Sequence, residues 1–319
     1  MSIPVQISST FIEGHTDFNE LVFLLKEAFS TQNQIVPQRH HHEFLDPITD
    51  KETTLLLMPA WQPGQDAGVK IITVNPDNDA LGLPSIQGSY IYMDATNGSV
   101  KAIVDAKSLT TKRTATASAL ASSILSKKNA SSLLMIGTGA LSPNLIRAHA
   151  SVRSIQNVFI WGRTIEKALL IKESFSNEAF SVNVVENISD VISNVDIVSC
   201  ATLSENPLVL GSLIRPGQHI DLVGSYKPHM RESDSELITK SSIFLDQYES
   251  GLKEAGDIII PIKEGAIGTS DIKADLFELC AEKHSGRVSD EEITVFKSVG
   301  HALEDLVGAR YYFKKFIHE

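Results

Sequence analysis

The chain is poor in several things at once. It has two cysteines, Cys200 and Cys280, in 319 residues. That is too few for a disulfide framework, and no paired Cys/His spacing builds a zinc site, so no metal is expected. Cys200 lies in an apolar run and reads as a buried, inert thiol. No apolar stretch approaches the ~20 residues needed to span a bilayer. The opening MSIPVQISSTFIEGH has no basic segment followed by an apolar block. No secretory leader is read there, and a soluble cytoplasmic protein is the expectation. Positive charge is in deficit: 28 Lys and Arg face 39 Asp and Glu, a net charge of −11. No global positive field would draw nucleic acid or an anionic membrane, but local cations can still bind a small anion. Internal repeats and low-complexity tracts are lacking too.

What is present has two textures. Residues 16–29, TDFNELVFLLKEAF, space apolar positions as a helix does, with Thr16 as a cap and Glu20 in the first turn. Residues 53–61 and 68–74 read as strands. GSYIYMDATNGSVKAIVDA, residues 88–106, reads as two strands joined across Asn97-Gly98. The first ~110 residues are therefore expected to form a mixed, mostly antiparallel α+β unit. The character changes at residues 109–128, LTTKRTATASALASSILSKK, which reads as one long helix. Apolar, β-branched strands follow at 132–137, 157–161, 182–186, 196–201, 218–224 and 243–247, with helical segments such as TIEKALLIKESF between most of them. Strands alternating with helices imply α/β architecture with a doubly wound parallel sheet. The tail, residues 299–319, is an amphipathic helix that could return to the first unit and make it discontinuous.

The first strand of the alternating region runs into a glycine turn, LLMIGTGALSPNLIRAHA, residues 133–150. In the dinucleotide fingerprint the first glycine, here Gly137, makes the tight turn. The second, Gly139, lets a pyrophosphate approach the backbone, and the third position needs only a small residue, here Ser142. Thr138, Ala140 and Leu141 complete the turn. Pro143 is tolerated in a helix's first turn, and the helix N-terminus offers unpaired N–H groups to phosphate. The cofactor is selected at the end of the second strand, where an acid would bind the 2′-hydroxyl of NAD. Here Arg163 can pair with a 2′-phosphate and Thr164 can donate to it, so NADPH is preferred and NADH possible. Thr164 can also cap the next helix. Cys200, Ala201 and Thr202 end the fourth strand at the carboxyl edge, where cofactors lie. Val223, Gly224 and Ser225 end the next and are expected to join them in cofactor binding.

With these residues in place, the chain resembles the ornithine cyclodeaminase/mu-crystallin family over nearly its full length. The matching stretches are LLLMPAW, GVKIITVNPDN, LTTKRTATASALA, IGTGALSPNLIRAHA, DIVSCATLSENP, HIDLVGSYKPHMRESD and SVGHALEDLVGA. The resemblance implies a nicotinamide-dependent enzyme acting at the amine or imine carbon of small amino acids, and a homodimer joined through the non-Rossmann domain. It implies residues 1–115 with 302–319 as a substrate-binding and dimerisation domain, and 116–301 as the NAD(P)-binding Rossmann domain. The turn is most similar to that of ketimine reductases, which reduce pyrroline-2-carboxylate and piperideine-2-carboxylate to L-proline and L-pipecolate.

A small imino acid offers a carboxylate that cations must hold, arginine best. The family's carboxylate-binding residues fall on Arg39, Lys70 and Arg113. Lys70 stands in an apolar strand, where the residues alone leave it either solvent-facing or buried with a purpose. The resemblance assigns it to the carboxylate and to proton supply. Lys112 reads as a solvated neighbour. His40, His41 and His42 alternate along an extended chain and cannot converge on one ion, so they read as a loop at the pocket mouth. Asp305 matches a family position near the nicotinamide and is a candidate for orienting water or the substrate nitrogen; the alternative is an exposed helix face. Family cyclodeaminases carry an aspartate where this chain has Tyr226. A phenol with a pKa near 10 is a poor base at neutral pH, which disfavours ornithine cyclodeamination and leaves imine reduction untouched. Ser225 could also orient the substrate. The competing readings are a cyclodeaminase, an alanine-type amino acid dehydrogenase and a non-catalytic NADP- and ligand-binding protein.

Overall fold

A computed structural model describes residues 3–45, 52–75, 78 and 81–319. The chain divides into two compact units, Met1–Thr114 with His301–Glu319, and Ala115–Gly300.

The first unit opens with β1 (Val5–Ile7), α1 (Ser9–Gly14) and α2 (Phe18–Thr31). It continues through β2 (His40–Leu45), β3 (Glu52–Gln62), β4 (Asp66–Val74), β5 (Ile86–Asp94) and β6 (Val100–Asp105) into α3 (Ala106–Leu125), whose residues from Ala115 on belong to the second unit. Its sheet runs β1-β6-β5-β4-β3-β2, antiparallel except where β1 joins β6. Strand alternation sends Met58, Ala60, Tyr90, Tyr92, Ala102 and Val104 into a core shared with Leu306, Ala309 and Tyr312 of the tail.

Three local expectations need correction here. The α2 cap is Asp17, whose carboxylate accepts from Asn19 and Glu20 N–H, while the Thr16 hydroxyl donates to Ile12 O at 2.6 Å. A carboxylate one residue nearer the helix out-competes the hydroxyl for the orphan N–H groups. The histidine run is not a loop but β2, an exposed strand paired with β3. The β5–β6 connection is also wider than a two-residue turn, with Gly98 at φ +74° and Asp94 accepting from Thr96 N–H at 2.9 Å.

The second unit contains β7 (Ser132–Ile136), α4 (Ser142–Val152), β8 (Asn157–Trp161), α5 (Ile165–Glu173), β9 (Ser181–Val184), β10 (Ile197–Cys200) and β11 (His219–Leu222). It goes on through α6 (Ser235–Thr239), β12 (Ser242–Leu245), α7 (Tyr248–Glu254), α8 (Gly256–Lys263), β13 (Ile272–Asp275), α9 (Leu276–Cys280) and β14 (Thr294–Lys297). The last helix, α10 (Ala302–Ile317), belongs to the first unit. The sheet order is β13-β12-β14-β11-β10-β7-β8-β9, every pairing parallel. This is a Rossmann-type doubly wound sheet. Its strand order reverses between β7 and β10, the switch point at which such sheets bind ligands. Its core is aliphatic, including Leu134, Ile136, Val198, Ile220, Leu222 and Val295. Among the described residues no helix is long and apolar enough to cross a membrane.

Candidate active site

Three elements of the first unit bring one ionic cluster together. On β4, alternation puts Lys70 on the core face with Gly68, and only 1% of it is exposed. Opposite it on β5 stands Tyr90, fully buried. α3 supplies Thr110 and Arg113. α10 supplies Glu304 and Asp305 from its first turn, where the partial positive charge of a helix N-terminus favours acids. The Lys70 ammonium lies 2.9 Å from Asp305 Oδ1 and 2.8 Å from Oδ2, with Thr110 Oγ1 at 3.5 Å. Arg113 donates from Nε to Asp305 Oδ1 at 2.9 Å and from Nη1 to Glu304 Oε2 at 2.6 Å.

Burial and charge pull against each other in this cluster. Burial first, and the Arg113 charge second, lower Lys70 from 10.5 to about 8, against the pull of Asp305. Burial opposes ionisation of Asp305, but Arg113 and Lys70 hold its carboxyl below the usual range. Burial works against the Arg113 charge, and Asp305 and Glu304 outweigh it, raising its pKa. The half-buried Arg39 acts on the same cluster, lowering both Lys70 and His301. Burial, then Arg39, takes His301 down to about 4, so the N-cap imidazole of α10 is neutral at pH 7. Three cations, Arg39, Lys70 and Arg113, face two carboxylates, Glu304 and Asp305.

Thus Lys70 is buried with partners, and Asp305 is fully buried rather than on an exposed helix face. Lys112 is not a solvated neighbour: it is 3% exposed, 2.5 Å from Glu13 Oε2, with its ammonium 5.8 Å from the Phe18 ring centre. Sequence reasoning passed over Glu304 and His301, although both lie in GHALED beside Asp305. An acid pair in a helix's first turn was the available signal.

The second unit carries a cradle at the end of β7. Gly137 sits at φ +118°, and a Cβ there would lie 2.6 Å from Ala201 O, so glycine is required. Gly139 is the opposite case: a Cβ on it would meet nothing within 4 Å. Ser142 is buried and donates from Oγ to Gly137 O at 2.8 Å, which closes the turn. α4 begins without a side-chain cap, with proline in its first turn. Open space above Gly139 and uncapped helix N–H groups beside it fit a pyrophosphate. Thr138, Ala140 and Leu141 line the same turn. Gly162 packs so tightly that a Cβ would meet Thr138 Cγ2 at 2.4 Å, and Arg163 and Thr164 beyond it are exposed. Thr164 occupies the N-cap position of α5 without making a side-chain capping bond.

At the ends of β10 and β11, Cys200 is fully buried, and burial pushes its thiol well up, as suits an inert residue. Ser225, expected to orient substrate, has its hydroxyl committed elsewhere. It donates to Asp257 and accepts from Lys297 Nζ at 2.8 Å, with all three side chains fully buried. A hydroxyl so engaged has no donor left for a substrate.

The sequence profile of the ornithine cyclodeaminase/mu-crystallin family matches residues 6–318. The chain belongs to that family. A Delta(1)-pyrroline-2-carboxylate reductase of Colwellia psychrerythraea is 35% identical over 306 residues, 95% of this chain and 96% of the relative. Among solved structures, the Thermococcus litoralis Delta(1)-pyrroline-2-carboxylate reductase in complex with NADH and L-proline superposes with a TM-score of 0.91. It is 31% identical and covers 98% of each chain. An archaeal alanine dehydrogenase dimer with bound NAD gives 0.90 at 27% identity, covering 99% of this chain and 96% of the other.

Proposed function

We propose that the chain is a ketimine reductase that converts Δ1-pyrroline-2-carboxylate, and the six-membered piperideine-2-carboxylate, to L-proline and L-pipecolate, with NADPH preferred over NADH. The broader statement, an NAD(P)H-dependent oxidoreductase acting on C=N or CH–NH bonds, follows from the family and its reductase members. The observation that carries the finer reading is the buried Lys70–Arg113–Asp305 cluster, in which one carboxylate orients an ammonium and a guanidinium side by side. The substrate carboxylate pairs with Arg39, Arg113 and Lys70, which fixes the adjacent imine carbon. Most of the gain is orientation. A reduced nicotinamide, when bound, supplies hydride to that carbon. The nitrogen then needs one proton, and Lys70 Nζ is suited to give it: with a pKa of about 8 it is charged at pH 7 yet gives up its proton readily. Asp305 stays ionised and holds the ammonium in place through both oxygens.

Gly137 through Leu141 hold the pyrophosphate, and Arg163 with Thr164 holds a 2′-phosphate. The end residues Cys200, Ala201, Thr202, Val223, Gly224 and Ser225 support the rest of the nucleotide through their backbone. Tyr226 stands where a cyclodeaminase needs a base, which argues against ammonia loss. The outer face of the first unit's sheet supports a homodimer: Leu57, Pro59, Val69, Ile71, Ile91 and Ile103 form an apolar stripe that stays half-exposed or exposed among the described residues.

The test is to mix the protein with pyrroline-2-carboxylate and follow NADPH absorbance, with NADH and ornithine as parallel controls. Rapid loss with the imine, slower loss with NADH and none with ornithine is expected. Ammonia release from ornithine without net NADPH oxidation would instead establish the lyase.

A further inference from the structure

One matched motif is left over by this reading: Arg231-Glu232-Ser233-Asp234, far along the chain from both cation cluster and glycine turn. Glu232 is fully buried, and both of its oxygens are used by backbone. Oε1 accepts from Thr202 N–H at 2.7 Å and from the Thr202 hydroxyl at 3.1 Å. Oε2 accepts from Gly224 N–H at 2.8 Å and Ser225 N–H at 3.2 Å. One carboxylate thus ties the chain just past β10 to the chain just past β11. The two segments are in close contact, since a Cβ on Gly224 would lie 2.1 Å from both Thr202 N and Thr202 O.

The tie is itself held from behind. Asp257 Oδ1 accepts from Glu232 N–H at 2.8 Å, Ser233 N–H at 2.9 Å and the Ser233 hydroxyl at 2.9 Å. Lys297, at the end of β14, places its ammonium 3.6 Å from Glu232 Oε2 and 3.2 Å from Asp257 Oδ2. Burial raises the Glu232 carboxyl against the opposing charge of Lys297. A buried ionic group of this kind is expensive, and an apolar contact would join two strand ends at lower cost. What an apolar contact cannot do is fix the direction of three backbone N–H groups at the carboxyl edge of the sheet. Those segments belong to the half of the doubly wound sheet on the far side of the switch point from β8. β8 bears the adenosine-side residues Arg163 and Thr164. In a sheet built of two mononucleotide-binding halves, the far half receives the nicotinamide.

We infer that Glu232 is a positioning residue for the nicotinamide half of the nucleotide, fixing the backbone past β10 and β11 against which that half lies. The inference rests on the nucleotide reading above. Glu232→Gln keeps shape and size, but turns one acceptor end into an NH2 group that faces existing N–H donors.

The test compares binding of NADPH with binding of 2′-phospho-ADP-ribose, which lacks only the nicotinamide ring, in wild type and E232Q. NADH and ADP-ribose serve as a second pair. NADPH should weaken by about tenfold or more in E232Q while the fragment stays within about twofold, since one misplaced charge-assisted set is worth that much. Equal weakening of both ligands, or of neither, overturns the inference. Should E232Q fail to fold, Thr202→Val decides by the same comparison. It deletes the hydroxyl bond to Glu232 and the weak 3.9 Å contact with Cys200 Sγ, keeps the Thr202 N–H bond, and should give a selective loss of about threefold. A wild type that binds neither ligand overturns the nucleotide reading and this inference together. A wild type that binds both, with an unaffected variant, overturns this inference alone.

Discussion

Among the described residues each unit buries an ionic cluster, and the two use their carboxylates differently. In the first unit Asp305 and Glu304 accept from the side chains of Lys70 and Arg113. In the second, Glu232 and Asp257 share Lys297 but are spent mainly on the backbone, accepting five N–H groups between them. The difference teaches where to look for a ligand. Acids that hold backbone N–H groups fix loops, whereas acids that hold Lys70 and Arg113 orient cations of the kind a ligand carboxylate pairs with.

The sharpest way to break this comparison is to remove the cation proposed to supply the proton. Lys70→Met should lower kcat/KM for imine reduction about a thousandfold, the combined effect of lost proton supply and lost orientation. Asp305 keeps Arg113, so the variant should still fold. Steady-state kinetics beside a melting curve checks both, and a loss of less than about tenfold would place the chemistry elsewhere.

The glycine turn offers a second break. Gly139→Val points into open space and should leave the melting temperature unchanged while weakening NADPH about a hundredfold by filling the cradle. Gly137→Ala should do the reverse, losing stability because φ +118° and the Ala201 carbonyl both refuse a Cβ. On the outer face of the first unit's sheet, Ile71→Glu puts a charge into the apolar stripe and should weaken the proposed dimer about a hundredfold, read by sedimentation. A variant that stays dimeric would move the interface off that face.

Smaller effects sharpen the picture. Arg163→Ala should weaken NADPH about tenfold and leave NADH within about twofold, by titration calorimetry. Equal losses would remove the stated preference. The gentlest perturbation is pH. Lys70 is lowered to about 8 from 10.5, so the folded state holds fewer protons than the unfolded one between those values. Stability attributable to this group therefore rises with pH across that window. Activity goes the other way: kcat/KM for reduction should fall as pH climbs through about 8 and the donor proton is lost. A profile flat to pH 10 would acquit Lys70 as the acid.

Much of this is legible in the amino-acid sequence. The Rossmann-type sheet was legible because its strands are apolar, β-branched and spaced by helices, and the glycine turn because φ +118° and close packing admit no other residue. β13 and β14 escaped notice. Each is four residues long, and a run such as Thr294-Val295-Phe296-Lys297 ends in a lysine that alternation rules assign to solvent but an ionic cluster holds inside. Lys112 misled for the same reason, its partner Glu13 lying on an element 99 residues away in sequence. The membership of each cluster is hidden likewise. Lys70 comes from β4, Arg113 from α3 and Asp305 from α10, and no local pattern says that three such elements meet.

The most direct measurement uses NADPH deuterated on the transferable position of the nicotinamide, with pyrroline-2-carboxylate as substrate and mass spectrometry of the product. Proline carrying one deuterium at Cα, formed mole for mole with oxidised nucleotide and without ammonia, is the expected result. Unlabelled proline, or no turnover of the imine by a protein that binds NADPH, would contradict it.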